Sequence, residues 1–419
     1  MSRKSRGNGP SFRPVLRAEL PEKHIRWRVV AMVVTIAIAI GAFGYGIASL
    51  MQSETGWQKI EARSDAETLF GNELVFMYNI GASGENASVE TKQLMQLYTE
   101  AGDEAFHLFS DDAERQSNLA YLNAHPNVAV EVEPALYDAL QKAESSRLLY
   151  LAPMLAQYDN VFMAEYDEQA EEIDPLKQSD LRSLLKEIAA FAQDPSQISI
   201  KFESGNRVTL VVSDAYVAFA RENELETLTS FSLLQNAFVV DYIADRLTQQ
   251  GFTLGTISSF DGFCRSLDNS GTSYSFNVYD RLDAKTTQNV GLLNVKQAVS
   301  LVYFRDFQMN ALDQMHYYVY EDGTTRFPYL DMSDGVCKSA VPGLIGYSDK
   351  QGCADLAVAL WPLYTASTLD KARISELTAD SVYTVWCENR QICYTGTIAD
   401  FSGLYQKDDV RYELHPMQS

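Results

Sequence analysis

The residues of this 419-residue chain best suited to metal binding or nucleophilic catalysis are five cysteines and five histidines. The cysteines all lie in the C-terminal half, and no two of them form a C-x-x-C pair. The histidines are scattered singly, so neither residue type has the spacing of a zinc site. The sequence also lacks G-x-G-x-x-G, P-loop, G-x-S-x-G and H-E-x-x-H motifs. The residues alone therefore assign no catalytic group.

Pairing of the cysteines is a second chemical question. Cys387 and Cys393 flank E-N-R-Q-I in an alternating segment that predicts a hairpin, and a disulfide across its arms is one hypothesis. Cys337 with Cys353 is a second candidate pair, which would leave Cys264 as a free thiol. The alternative is that all five are reduced and buried. Disulfides require an oxidising compartment, so the choice depends on where the chain is located.

An uncharged run of 23 residues, Val29–Met51, predicts a single membrane-spanning helix. Eight cations and only two anions precede it, which predicts a cytoplasmic basic tail at 1–28. We expect a linker at 52–66 and an extracytoplasmic domain at 67–419, held at the cell membrane by a single pass. A cleaved signal peptide is the alternative, although the apolar run is long and lacks an A-x-A site.

Composition restricts what the exported part can bind. The whole chain carries a net charge of −22, of which residues 1–51 contribute +6, so the remaining 368 residues carry −28. Such acidity argues against nucleic acid and against anionic lipid surfaces, because both require basic patches. Hydrophobic residues make up 46% of the chain, which is ample for a packed core.

Periodicity and turn signals predict helices and strands mixed without strict alternation, which favours an α+β fold. The predicted helices are Pro134–Ser145, a helix capped by Asp174 and Pro175, Ser232–Gln250 and Ala354–Tyr364. The predicted strands are 69–81, a hairpin over 198–212, Gly255–Ser259, Tyr274–Tyr279 and Val299–Tyr303. Asp322-Gly323 predicts a further hairpin with a type I′ turn.

Four segments, in this order, resemble the ApbE-type FAD:protein FMN transferases. They are SNLAYLNAHPNVAVEVEPALYDALQKA (117–143), SLLQNAFVVDYIADRLTQQGF (232–252), YYVYEDGTTRFPYLDMSDG (317–335) and CADLAVALWPL (353–363). The resemblance extends from about Phe70 to Tyr405. It implies an exported α+β domain that uses FAD and Mg²⁺ and transfers FMN to a threonine of an exported or membrane protein partner.

The resemblance also implies site residues, and several of them are replaced. Asp355 matches the magnesium-binding aspartate of an A-D-x-x-x-T pattern, but the threonine position is Ala359. Asp331 of P-Y-L-D-M-S-D-G is kept in a segment whose histidine position is Pro328. Asn236 stands where the family has lysine. Two of these replacements remove groups that would hold the metal or exchange a proton.

The remaining matches are in glycine-containing segments. Gly262 and Arg265 survive from a G-G-D-I-R pattern, and Phe70-Gly71-Asn72 stands where the family has M-G-T against the flavin. Phe70, Gly71, Asn72, Asn236, Gly262, Arg265 and Asp331 are therefore the cofactor-binding candidates, with Asp355 for the metal. We expect reduced or lost catalysis in a cleft relined by apolar side chains. The alternatives are a working transferase, a binding or scaffolding module, and a flavin carrier.

Overall fold

The computed structural model of the chain describes residues 55–63, 70, 73–111, 118–283, 286–309, 313, 315–407 and 409–417. The basic tail, the predicted membrane span at 29–51 and part of the linker at 52–66 lie outside the described residues. Within the described ranges, no helix is both long enough and apolar enough to cross a membrane. The domain boundaries at residues 28, 51 and 66 therefore stay predictions.

Helices and strands alternate irregularly along the chain, which confirms the α+β class. The helices of the described part are α1 Ala87–Phe109, α2 Leu119–Ala124, α3 Pro134–Glu144, α4 Ala152–Phe162, α5 Asp167–Ile173, α6 Ser179–Gln193, α7 Asp214–Glu222, α8 Gln235–Gln249, α9 Cys353–Tyr364 and α10 Lys371–Ala379. Short 3₁₀ turns, Leu148–Leu151 and Ser232–Leu234, precede α4 and α8. The predicted helices at 134–145, 232–250 and 354–364 are thus confirmed, the second with a 3₁₀ first turn.

Nine of the nineteen strands in the described part of the chain belong to one large sheet. The strands are β1 Gly56–Ile60, β2 Leu74–Ile80, β3 Ala129–Glu131, β4 Ile198–Glu203, β5 Arg207–Val212, β6 Gly255–Ser259, β7 Phe263–Ser266, β8 Tyr274–Arg281, β9 Thr287–Val295, β10 Val299–Arg305, β11 Tyr318–Val319, β12 Thr325–Arg326, β13 Gly343–Ser348, β14 Tyr383–Glu388, β15 Gln391–Tyr394, β16 Ala399–Ser402, β17 Gln406–Lys407, β18 Val410–Arg411 and β19 Glu413–Pro416. The large sheet has the order β1-β2-β6-β7-β10-β13-β14-β15-β19. Only the β15–β19 pair within it is parallel. Two three-stranded sheets, β3-β5-β4 and β16-β9-β8, accompany it.

The central strands β10 and β13 are buried at every residue because the large sheet is covered on both faces. Val302 and Phe304 of β10 pack into a core with residues of α8 and α9. Leu301 and Tyr303 pack into a second core with β8 and β9. Strands covered on both faces have nearly continuous apolar sequences, which explains the run over Val299–Arg305. The helices α8 and α9, the large sheet and the small sheet β16-β9-β8 thus form three layers.

All five cysteines are free, in disagreement with both hypothetical disulfides. In the β14–β15 hairpin, Cys387 pairs with Ile392 and Cys393 pairs with Trp386. Successive side chains of a strand point to opposite faces, and this one-residue offset places the two sulfurs in different cores. The hairpin was predicted correctly, but its register prevents the bridge.

Two local predictions are wrong in detail. The helix expected from Asp174 begins instead at Ser179. Oδ1 of the buried Asp174 caps only a turn, by accepting from the N–H of Leu176 at 2.8 Å, while Oδ2 accepts from Arg326 and Tyr320, each at 2.8 Å. The hairpin between β11 and β12 forms, but only Gly323 of the Asp322-Gly323 pair has a positive φ. A type I′ turn requires positive φ at both central residues, so this turn is of another type.

Candidate functional site

Asp355 lies in the first turn of α9, and both of its carboxylate oxygens have partners. Oδ1 is 2.7 Å from Nζ of Lys142 on α3, and Oδ2 accepts a hydrogen bond from the N–H of Gly352 at 3.4 Å. Ala359, one turn later, supplies no side-chain oxygen. Magnesium prefers several oxygen ligands, yet no metal-binding group of three or more His, Cys, Asp or Glu occurs among the described residues. These side chains do not fit a resident magnesium ion.

The N-terminus of α9 is satisfied by a carboxylate from α8. Asp241 accepts hydrogen bonds from the N–H groups of Cys353 and Ala354, both at 2.9 Å, and from Nη1 of Arg265 at 2.8 Å. A Cβ atom at Gly352 would lie 2.4 Å from Oδ2 of Asp241, so glycine permits this approach. N–H groups at a helix start can bind an external anion, but here the chain supplies its own.

A cleft of about 310 Å³ opens beside this helix start. We call it the helix-end cleft, and the charged residues that line it are Lys142, Asp241, Asp245, Arg265, Asp349, Lys350 and Asp355. Asp355 pairs with Lys142, and Asp241 pairs with Arg265. The ammonium group of Lys350 donates to Oγ of Ser381 at 2.9 Å. Its charges are therefore largely matched within the chain.

Among the described residues that line a second cleft, of about 400 Å³, carboxylates outnumber basic side chains. We call it the acidic cleft, and its described titratable and amide residues are Glu73, Asp111, Asp159, Gln235, Asn236, Asp261 and His316. Nδ2 of Asn236 donates to Oε2 of Glu73 at 3.2 Å and to Oδ2 of Asp261 at 3.0 Å. Only the nitrogen end of an amide can bond to two carboxylates, so these contacts fix its orientation.

Asp261 occupies the tight turn between β6 and β7. Burial is the largest influence on its carboxyl group and raises its pKa to about 6. Arg305 of β10 donates to the backbone oxygens of Phe260 at 3.1 Å and of Asp261 at 3.3 Å. Gly262 has φ of 110°, and a Cβ atom there would lie 2.5 Å from the backbone oxygen of Tyr303. Arg305 and Gly262 together fix the backbone of the turn that carries Asp261.

Asp331 begins a tight turn that ends at Gly335, and its oxygens also have partners. Oδ2 accepts from Nζ of Lys338 at 2.8 Å, and Oδ1 accepts from the N–H of Ser333 at 2.8 Å. Although partial burial acts in the opposite direction, these hydrogen bonds hold the pKa of Asp331 below its ordinary value. The carboxylate therefore stabilises its own turn.

The N-terminal cofactor candidates lie only partly within the described residues. The ring of Phe70 is 0% exposed and packs against Tyr98 and Phe106 in the core. A Cβ atom at Gly102 would overlap this ring, at 2.2 Å from its edge. Gly71 and Asn72 lie outside the described residues. Phe70 thus has a packing role, and contact with a flavin stays a prediction for all three.

Comparison with known proteins identifies the fold. A crystal structure of the ApbE protein of Thermotoga maritima matches with a TM-score of 0.55 at 13% identity, covering 80% of this chain and 94% of that chain. The flavin transferase ApbE of Vibrio cholerae matches with 0.54 at 12% identity, covering 80% and 94%. The apo form of the Pseudomonas stutzeri flavinyl transferase ApbE matches with 0.50 at 14% identity, covering 80% and 92%. This chain has the ApbE fold. No family model and no curated protein sequence matches it.

The resemblance found in the sequence is therefore confirmed for the ApbE fold, but the candidate residues do not share one groove. Arg265 and Asp355 line the helix-end cleft, Asn236 lines the acidic cleft, and Asp331 lines neither. Segments adjacent to Asn236, Asp331 and Asp355 meet at a cavity of about 10 Å³. Its lining is mainly apolar: Leu148, Leu151, Leu155, Phe231, Leu233, Leu234, Pro328, Leu330 and Trp361. None of the candidate residues lines this cavity, and the expected apolar relining of a cofactor cleft stays a prediction.

Sequence analysis does not identify three residues that shape the two clefts of this ApbE fold. Asp261 had a usable signal, because an Asp-Gly pair between two short strands predicts a tight turn that displays the aspartate. Lys142 has no such signal, since its partner Asp355 lies on a distant helix and i,i+4 spacing is irrelevant to it. His316 is a lone histidine, and nothing in its neighbourhood of the sequence indicates a cleft.

Proposed function

We propose that this protein is a single-pass membrane protein whose extracytoplasmic domain uses the ApbE fold to bind a partner and does not transfer FMN. The observation that carries the proposal is the ion pair of Asp355 with Lys142 at 2.7 Å. Asp355 is the one magnesium ligand that the resemblance retains. In this chain it already has a cation, and that cation is an ammonium group supplied by a neighbouring helix.

The electrostatics of the helix-end cleft support this proposal. A magnesium ion on Asp355 would have to displace the ammonium group of Lys142 or lie close to it. Two cations a few ångströms apart repel each other by about 1–4 kcal/mol per pair of unit charges, depending on the local dielectric. Since Ala359 offers no compensating oxygen, magnesium would gain little that solvent does not already provide. In this proposal Asp355 is therefore an ion-pair partner of Lys142 and holds no catalytic metal.

The remaining space also disfavours FAD. Ligand pockets usually measure about 300–1,000 Å³, whereas the cavity where the three segments meet measures about 10 Å³, close to the size of one water. The larger acidic cleft carries four carboxylates, Glu73, Asp111, Asp159 and Asp261. A dinucleotide with an anionic pyrophosphate would be repelled there. A flavin carrier is therefore less well supported than a binding module, although it remains the principal competing function.

The cellular setting is part of the proposal. The charge asymmetry around residues 29–51 supports a cytoplasmic N-terminus, so the partner would be an exported or membrane protein. The net charge of −28 on residues 52–419 supports a partner with basic groups on its binding surface.

The test is a titration of the full-length protein, purified in detergent, with FAD in the presence and absence of Mg²⁺. We expect no change in flavin fluorescence or melting temperature at high micromolar FAD, and no release of AMP. Release of AMP that disappears in Asp355→Ala and persists in Asp349→Ala, a carboxylate of the same cleft, would contradict the proposal. FAD binding without AMP would contradict it in favour of a flavin carrier.

A further inference from the structure

Two buried hydrogen-bond acceptors in the walls of the acidic cleft lack donors among the described residues. They are Oδ1 of Asp261 and Oδ1 of Asn236. The other polar atoms of the same two side chains, Oδ2 of Asp261 and Nδ2 of Asn236, bond to each other at 3.0 Å. Burial raises the pKa of the Asp261 carboxyl group and the nearby hydroxyl group of Ser259 lowers it, but the hydrogen bond of this hydroxyl goes to the backbone oxygen of Phe263 at 3.3 Å. A buried acceptor without a donor is costly, so the cleft is chemically incomplete.

The charge around these acceptors selects the donor. At pH 8 an imidazole is neutral, so His316 does not offset the carboxylates that line the cleft. Neither lysine nor arginine is among the described residues that line it. Arg305 lies nearby, but its hydrogen bonds go to the backbone oxygens of Phe260 and Asp261 and to the carboxylate of Asp313. A positively charged donor is therefore favoured over a neutral one.

The apolar residues that line the cleft distinguish an organic cation from a metal ion. They are Ala152, Leu155, Ala156 and Leu233. A metal ion would gain nothing from such a surface, and no metal-binding group of three side chains exists in the described ranges. An aliphatic stem, in contrast, would be desolvated there. The volume of about 400 Å³ accommodates a short chain with its charged head.

We infer that the acidic cleft binds an organic cation, namely a primary ammonium or guanidinium group on an aliphatic stem, with Asp261 and Asn236 accepting its hydrogen bonds. The inference rests on the proposed function, because it assigns a ligand class to a cleft that serves binding. The cation could belong to a free polyamine or to a lysine or arginine side chain of a partner protein, and the two sources share the same chemistry.

The test measures binding to the full-length protein in detergent at pH 8 by isothermal titration calorimetry. Spermidine represents the free source, a Gly-Arg-Gly peptide amide represents the side-chain source, and n-pentanol is the neutral control. We expect at least one cation to bind at submillimolar concentration and pentanol not to bind. Asp261→Asn keeps the shape and removes the charge, and should weaken binding at least tenfold. Asp349→Asn, the same change in the helix-end cleft, should change it less than twofold.

A second variant keeps the inference testable if Asp261→Asn fails to fold. Glu73→Gln, at the partner of Asn236, should weaken binding about threefold while the melting temperature stays at the wild-type value. Tighter binding of the peptide than of spermidine indicates a partner side chain, and the reverse indicates a free amine; both support the inference. Equal binding of pentanol, or Ca²⁺ binding that depends on Asp261 and displaces the amines, overturns it. Absence of both cation and FAD binding overturns only this inference, whereas AMP release from FAD overturns the proposed function.

Discussion

The two clefts of this domain differ in whether their charges are satisfied within the chain. In the helix-end cleft, Asp241 and Asp355 each contact a cation, at 2.8 Å and 2.7 Å, and Asp241 also accepts two backbone N–H groups. In the acidic cleft, Glu73 and Asp261 share the amide of Asn236, and the largest influence on Asp261 is burial. The first arrangement stabilises the fold, while the second leaves polar atoms for a ligand.

The comparison shows that a residue type matching a family pattern does not by itself determine what that residue contacts. Asp355 has the residue type and helix position of a metal ligand, yet Lys142 provides the opposite charge. Asn236 stands where the resemblance places a lysine. Its neutral amide donates to the carboxylates of Glu73 and Asp261 but does not offset their negative charge. The sign of the lining charge is the better guide to what a cleft binds.

The largest expected effect comes from removing the carboxylate that caps α9 in the helix-end cleft. Asp241→Ala removes the cap of α9 and leaves Arg265 without its closest partner, so we expect the free energy of unfolding to fall by about 3 kcal/mol. Urea denaturation of the full-length protein measures it. Asp245→Ala is the control, because that carboxylate is 62% exposed and 3.5 Å from Arg265, and should cost less than about 1 kcal/mol. An equal decrease in the free energy of unfolding for both variants would show that the Asp241 cap does not stabilise the fold more than Asp245 does.

The next effect concerns the turn that carries Asp261. Gly262→Ala places a Cβ atom 2.5 Å from the backbone oxygen of Tyr303 at φ of 110°, and should reduce the free energy of unfolding by about 3 kcal/mol. Gly251→Ala is a matched control, since its φ is 84° but no atom lies within 4 Å of the added Cβ. That change should cost only about 1 kcal/mol. A similar cost at both positions would mean that the close approach to Tyr303 relaxes freely.

Much of the fold could be predicted because its signals are local. The apolar run of β10 reflects burial on both faces, and the hairpin over 198–212 follows from alternation on either side of a polar turn. The start of α6 could not be predicted. Asp174 caps a turn through Oδ1, which accepts from the N–H of Leu176, and its Oδ2 accepts from Arg326 and Tyr320, which nothing near it in the sequence identifies.

The candidate site was predicted less well for the same physical reason. Asn236 and Asp355 were singled out by a resemblance that preserves order along the chain, which says nothing of the side chains opposite them. Their actual partners, Glu73, Asp261 and Lys142, are contributed by other elements. A charge in a cleft is set by such long-range neighbours, so the sequence could indicate the walls of the site but not the sign of its lining.

A smaller effect is the pH dependence of cation binding in the acidic cleft. The pKa of Asp261 is about 6, so its carboxylate is mostly ionised at pH 8 and mostly protonated at pH 5. Binding of a cation that requires the ionised form should therefore weaken about tenfold from pH 8 to pH 5. Glu73 and Arg305 face the same carboxyl group, and protonation of His316 would add repulsion in the same direction. Calorimetric titrations at both pH values should show the decline, and Asp261→Asn should remove most of it.

The smallest expected effect concerns Lys142. It tests whether this lysine occupies the place of a metal ion at Asp355 or is required for the stability of the fold. Both side chains are more than a third exposed, at 37% and 38%, so solvent screens their attraction. Lys142→Met keeps the aliphatic stem, and we expect it to change the free energy of unfolding by less than about 1 kcal/mol in urea denaturation. It should also leave the melting temperature unresponsive to Mg²⁺, because one carboxylate without a second oxygen ligand binds this ion poorly. A clear magnesium-dependent rise in Lys142→Met, absent in Lys142→Met/Asp355→Asn, would instead mean that the lysine alone excludes the metal.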